Sequence, residues 1–126
     1  MTVVDEIGRS RYVSLTTYRK DGTAVATPVW HVVKDGELFI VSDAQAWKVK
    51  RIRRNSQVVV TVCGLRGRIA PGAPTAQGTA RLLDEAGTDT GRTLLARKYV
   101  MSRAGNWFAK ILHLRRRPLI GIVVTF

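Results

Sequence analysis

The stretch Ser42 to Asn55, SDAQAWKVKRIRRN, gathers the residues best suited to hold a charged small molecule. Lys48, Lys50, Arg51, Arg53 and Arg54 put five cations within seven residues. On one short helix, Val49 and Ile52 supply a narrow apolar stripe, so the cations cover most of the remaining circumference. Ser42 or Asp43 can cap its first turn, Ser42 with Gln45 makes a capping box, and Asn55 offers a left-handed exit. Like charges three and four residues apart repel by a few tenths of a kcal/mol per pair, and Lys48 lies near the helix start, where the backbone is already positive. A cation beside exposed N–H groups at a helix start is a receptor for phosphate or carboxylate, each charge-assisted hydrogen bond being worth roughly 1.5–3 kcal/mol. The alternative is a solvated charged helix. The position of the run, between a strand-rich half and another strand, favours an anion site. Trp47 opens the run, where an indole either packs on the adjoining strand or shelters a planar ligand.

Other reactive side chains form no recognisable constellation. There is no Walker loop, dinucleotide glycine fingerprint, zinc-type spacing or serine nucleophile elbow. His31 and His113 are too few and too scattered for a metal site, and a histidine beside Trp30 in a strand reads as a packed structural residue. Cys63 is the only cysteine; it ends the run Val58 to Val62 and reads as a small buried hydrophobe, and no intramolecular disulfide is possible. Thr16, Thr17, Thr27 and Ser42 offer hydroxyls near the basic run, but threonine is common on strands in any case.

The elements that must position these residues are mostly strands. Val3 to Ser10 reads as a short helix with Ile7 turned inward. Tyr12 to Thr17 is a strand, Lys20-Asp21-Gly22-Thr23 a tight turn, Ala24 to Val33 a returning strand, and Lys34-Asp35-Gly36-Glu37 a second turn into Leu38 to Val41. Together they predict a three-stranded antiparallel meander, with Pro28 at an edge or bulge because it cannot donate to a ladder. Gln57 to Cys63 reads as a buried strand, Gly64 to Pro74 as a loop carrying Arg66 and Arg68, and Gln77 to Leu83 as a strand with Gly78 a candidate bulge. Thr88 to Tyr99 and Gly105 to Leu114 are helical, the second with Trp107, Ile111 and Leu114 on one side. Arg115-Arg116-Arg117-Pro118 stops it before a closing strand, Leu119 to Phe126.

With 126 residues, 45% of them hydrophobic, and no shift in composition, the chain reads as one domain over 1–126. A formal charge of +12 implies a polyanionic partner: nucleic acid, an anionic membrane face, or a ligand with several negative groups. Asp5 and Glu6 precede any apolar stretch, and nothing approaches the ~18 uninterrupted apolar residues of a membrane span, so a soluble cytoplasmic protein is expected.

In order, the Lys-Asp-Gly-Thr hairpin, the Ala-Thr-Pro-Val-Trp-His strand, the Gly-Glu-Leu-Phe-Ile-Val-Ser strand and Trp-Lys-Val-Lys-Arg-Ile-Arg-Arg-Asn resemble the pyridoxamine 5′-phosphate oxidase-like superfamily. More narrowly they resemble its branch that binds the deazaflavin coenzyme F420. The likeness covers nearly the whole chain, and Ala24 to Asn55 is its specific part. It implies a mainly β (α+β) fold, a six-stranded antiparallel split β-barrel with flanking helices, paired as a homodimer with a cofactor groove at each end of the interface. It also implies that Lys48 and Lys50 bind the cofactor phosphate with Arg54 nearby, that Ser42 and Trp47 flank it, and that Thr27, Pro28, Val29 and Trp30 lie against the ring. In the flavin mononucleotide (FMN) branch, arginine within a Ser-Arg-Lys run typically precedes the matching lysine, whereas here the run is Ala46-Trp47-Lys48. That departure favours deazaflavin over FMN, as does the match between a strongly cationic chain and a coenzyme carrying a phosphodiester and a glutamate tail. Arg66, Arg68 and Arg115 to Arg117 are further candidates for the tail.

The leading expectation is an F420-dependent oxidoreductase passing a hydride to an electron-poor small-molecule acceptor. The cofactor carries the chemistry and the protein supplies orientation, electrostatics and water exclusion, so no catalytic residue is demanded. Tyr99, His31 or solvent can supply a proton. A carrier that binds F420 or another anionic planar ligand without turnover is the second reading. Nucleic-acid binding ranks lower because aromatic residues do not interleave with the cations, and a peripheral membrane role for Gly105 to Arg117 is a further alternative.

Overall fold

A computed structural model describes residues 2–64, 66–99 and 118–126. Helix α1 (Val3–Arg9) starts from a reciprocal cap, Thr2 Oγ1 accepting from the Asp5 N–H at 3.1 Å and Asp5 Oδ2 from the Thr2 N–H at 3.2 Å. Ile7 is the residue it buries, as expected. Strands β1 (Tyr12–Tyr18) and β2 (Ala24–Val29) then pair in register from Val13 with Val29 to Tyr18 with Ala24. Their turn holds because Asp21 Oδ1 accepts the Thr23 N–H at 2.9 Å while Gly22 takes φ 90°, a conformation that favours glycine. The second turn, Asp35-Gly36, has φ 54° and 77°, the paired positive values of a two-residue hairpin, and joins β3 (Val32–Lys34) to β4 (Glu37–Asp43).

After helix α2 (Trp47–Arg54) come β5 (Gln57–Cys63), β6 (Thr75–Leu82), helix α3 (Glu85–Tyr99) and β7 (Leu119–Thr125). All pairings are antiparallel, and the sheet order is β2-β1-β5-β6-β7-β4-β3. The expected meander does not form. Ala24 to Val33 is broken at Trp30-His31, so that among the described residues β2 pairs only with β1 while β3 pairs only with β4, at opposite ends of the sheet. Consecutive segments thus sit at the two edges, which is the geometry of a split barrel, though the ladder does not close between them. Seven strands replace the six expected because this one bent stretch counts twice.

His31 explains the bend. Its ring is buried at the break, where Nε2–H donates to the Ile7 carbonyl at 2.6 Å, the tautomer that satisfies that acceptor. Lys98 of α3 reaches the same place, Nζ donating to the carbonyls of Gly8 at 3.2 Å and Ser10 at 2.9 Å and lying 3.3 Å from His31 Nε2. The end of α1, the break in the strand and α3 are therefore tied at one point. Burial lowers the Lys98 ammonium to about 8. Burial first, and the Lys98 charge second, lower His31 to about 4, with the Ile7 hydrogen bond opposing them.

The core joins Ile7, Val13, Leu15, Leu38, Ile40, Val58, Val60, Ile122 and Val124 with Val49 and Ile52 from α2. Gly78 is not a bulge: it pairs with Val58 inside a continuous ladder, and a Cβ there would stand 2.6 Å from Val124 Cγ1 and 2.9 Å from the Thr125 carbonyl oxygen. Helix α3 begins at Glu85, ahead of the expected Thr88, because Asp84 Oδ1 accepts the Gly87 N–H at 2.8 Å. Thr88 Oγ1 then accepts the Gly121 N–H at 2.8 Å, which pins α3 to β7. Cys63 is free and half-buried rather than enclosed, and burial raises its thiol. Strand β5 alternates between buried and more exposed positions over Gln57 to Val60, so it is not the fully buried strand expected. The helix expected over Gly105 to Leu114, with His113 and Arg115 to Arg117, lies outside the described residues. Among those described, no helix is long and apolar enough to cross a membrane.

Gly78→Ala should cost ~1–3 kcal/mol and lower Tm by roughly 5–15 °C, because the contacting Thr125 atom is backbone and cannot swing away; thermal melts check this. The unfolded His31 takes up a proton near 6.5 and the folded one only near 4. Its contribution to stability is therefore present above pH 6.5 and is lost as pH falls toward 4, by about 3 kcal/mol. Denaturant melts at pH 7 and pH 4.5 should show that loss in the natural chain and a much smaller one in His31→Gln.

Candidate functional site

The basic helix starts later than the Ser42 and Gln45 spacing predicts. Ser42 still belongs to β4, follows Leu38 and Ile40 on the inward face, is 6% exposed, and pairs with Ile120. Its Oγ donates to the Asp43 carbonyl at 3.2 Å, and Asp43 Oδ1 accepts the Gln45 N–H at 2.9 Å, so both side chains serve the turn before α2 rather than its cap. Ala46 stands at the N-cap, and the first turn has neither a capping side chain nor an acid. Asn55 leaves the helix in extended conformation at φ −141°, not left-handed, and its Oδ1 accepts the Gln57 N–H at 3.0 Å.

Two apolar residues hold α2 in place. Val49 and Ile52 are 0% and 3% exposed, and burying each contributes ~1.5–3 kcal/mol, against repulsion of a few tenths per cation pair. Packing wins, and the helix keeps its charges close together. Lys48 is half-buried, while Lys50, Arg53 and Arg54 are exposed. Trp47 is 71% exposed rather than packed, with Lys50 Nζ 4.5 Å above its ring.

The face carrying Trp47, Arg51 and Arg54, spaced i, i+4 and i+7, turns toward the β1–β2 hairpin. Between them is a cleft of about 620 Å³ lined by Arg19, Lys20, Asp21, Trp47, Arg51 and Arg54. Arg51 Nε donates to Thr17 Oγ1 at 2.7 Å, and Thr17 is fully buried on β1, so the guanidinium is fixed to the sheet. Burial, and then the neighbouring Arg19 charge, lower the proton affinity of Arg51. Among the described lining residues four cations face one carboxylate, and that carboxylate, Asp21, is occupied by the Thr23 N–H. The chemistry of this lining fits a multiply charged anionic ligand.

The expected site residues fall into separate groups. Trp47 and Arg54 line the cleft, Lys50 covers the Trp47 ring, and Lys48 shares their turn. Ser42 faces the interior. Thr27, Pro28 and Val29 lie on edge strand β2 and Trp30 follows it, with its ring centroid 6.5 Å from that of Tyr12. Pro28 is exposed and packs beside Gly67, where a Cβ would lie 3.5 Å from its Cγ. These four do not line the cleft. His31 is enclosed in the fold, away from any ligand surface, and the Tyr99 side chain is outside the described residues.

The sequence places Arg51 in the basic run and Lys20 in the first turn without giving either a site role, and it does not mark Arg19 at all. The i, i+4, i+7 spacing from Trp47 through Arg51 to Arg54 was a legible signal of a shared face. The approach of Arg19 to that face depends on tertiary packing and has no local signature.

No curated protein matches the chain by sequence. Solved structures do. An F420 reductase superposes with TM-score 0.63 at 20% identity, over 94% of this chain and 88% of that one. An F420-H2 dependent reductase gives 0.62 at 18%, over 90% and 93%. A FAD-binding protein from Mesorhizobium loti gives 0.67 at 19%, over 98% and 86%. At these identities the likeness is one of fold. The family model described as pyridoxamine 5′-phosphate oxidase matches residues 2–124, and the chain accordingly belongs to that family.

Proposed function

We propose that the protein is an F420-dependent oxidoreductase that works as a homodimer on an electron-poor small-molecule acceptor. The observation that carries this reading is the uncapped start of α2, where Lys48 and Lys50 stand beside the exposed Trp47 indole, in a chain of this family. The F420 reductase and F420-H2 dependent reductase among the similar folds support deazaflavin over FMN, and the run Ala46-Trp47-Lys48 points the same way.

When bound, reduced deazaflavin supplies the hydride that the acceptor takes up. Every other task falls to the chain. Lys48 and Lys50, with Arg54 close by, hold the phosphate by charge-assisted hydrogen bonds at the start of α2, where the helix dipole adds to their field. Trp47 flanks that group, and Ser42 steadies the turn that leads into α2. Thr27, Pro28, Val29 and Trp30 lie against the ring, with β2 offering backbone groups along an edge that has no strand partner among the described residues. The partner subunit closes the groove and excludes water. The proton that completes reduction of the acceptor comes from solvent, since His31 is buried in a structural role.

Titration of the purified dimer with F420 and with FMN, followed by calorimetry and by tryptophan fluorescence, should show at least tenfold preference for F420. Lys48→Ala with Lys50→Ala should weaken F420 by about 10²-fold or more while leaving Tm within a few degrees, from roughly 1.5–3 kcal/mol per charge-assisted bond. Equal affinity in that variant would remove the phosphate assignment. Mixing the reduced coenzyme with an electron-poor quinone or enone should accelerate its oxidation; tight binding with no acceleration would identify a carrier instead.

A further inference from the structure

Arg51 is the centre of a charge arrangement of which the phosphate site just proposed uses Arg54 alone. Its Nε is taken by the buried Thr17 hydroxyl at 2.7 Å, so the two terminal nitrogens of the guanidinium are the donors left for a ligand. The planar group is then held in one orientation, which reduces the entropy lost on binding. Arg19 comes from the hairpin on the other wall, near enough that its charge lowers the proton affinity of Arg51. Lys20 and Arg54 extend the same lining.

None of these four cations has a carboxylate within 4.0 Å among the described residues. Asp21, the single acid among the described lining residues, spends Oδ1 on its own turn. A cleft of about 620 Å³ is larger than one phosphate needs and falls within the usual range for small-molecule sites, about 300–1,000 Å³. It has room for two or more anionic groups on a short chain, with the Trp47 indole covering the carbon between them.

We propose that the cleft between the β1–β2 hairpin and the Arg51 face of α2 is a second anion subsite, one that binds a linear group carrying at least two phosphates or carboxylates. Arg51 is its oriented donor, Arg19 and Arg54 clamp from the two sides, and Thr17 is a positioning residue acting through Arg51. The chemistry is shared by two sources, the acidic end of the coenzyme and a separate anionic acceptor; the link to the coenzyme rests on the function proposed above, whereas polyanion binding does not.

Inorganic pyrophosphate is the probe, titrated calorimetrically against the dimer of the full chain at two salt concentrations. One saturable site per chain is expected, weakened at least tenfold in Arg19→Gln with Lys20→Gln, whose side chains are exposed and can change without disturbing the core. Thr17→Val should also weaken it severalfold with the salt dependence unchanged, because no charge is removed. Absence of a saturable site, or equal affinity in the Arg19→Gln, Lys20→Gln protein, overturns the proposal. Repeating the titration with saturating F420 separates the sources: competition assigns the subsite to the coenzyme, and simultaneous binding assigns it to an anionic acceptor. If pyrophosphate binds as expected and F420 does not bind, the proposed function fails and the subsite stands. If F420 binds the double variant normally and pyrophosphate has no site, the subsite fails and the function stands.

Discussion

Burial of Val49 and Ile52 is the interaction on which the site depends. Together these two side chains contribute several kcal/mol of apolar burial, enough to seat an eight-residue helix that could not persist alone in water. A helix that short is normally helped by a cap and by acids in its first turn, and α2 has neither. The core therefore holds in place an element whose surface chemistry works against its own stability. What remains exposed is an unbalanced positive face and a helix start with its dipole directed outward.

The sheet gives that face something to work against. Because the stretch after the first hairpin breaks at Trp30-His31, β2 is left at one edge and the hairpin tip stands free to meet α2. The break is itself stabilised by His31 under α1 and by Lys98 on the α1 carbonyls. Both groups titrate below their ordinary values because they are buried. This knot of polar groups, none of which lines the cleft, thus holds the break that leaves β2 and β3 at separate edges of the sheet.

Much of the fold was legible because its signals are local. The Asp21-Gly22 and Asp35-Gly36 turns, the β-branched runs of β1, β5 and β7, and the Val49 and Ile52 stripe each carry their own physical reason. What could not be read is non-local. Alternation shows that Ala24 to Val33 is extended, but not that its halves pair with different strands. Ser42 and Gln45 match a capping box, yet Ser42 is drawn into β4 by the inward alternation from Leu38 and Ile40. Gly78 reads as a bulge from sequence and is required by the approach of Val124 and Thr125. Within the site, the basic run and Trp47 were visible from composition and spacing. The partnership of Arg51 with Thr17 and Arg19 arises only when β1, the hairpin and α2 come together.

A crystal structure of the protein with F420 bound tests most directly whether this positive face is a ligand site maintained by core packing. The expected map shows the coenzyme phosphate within hydrogen-bonding distance of Lys48 or Lys50 and an indole-covered segment beside Trp47, with α2 unmoved. Coenzyme bound elsewhere, or an α2 that must leave its seat on Val49 and Ile52 to reach it, would contradict that claim.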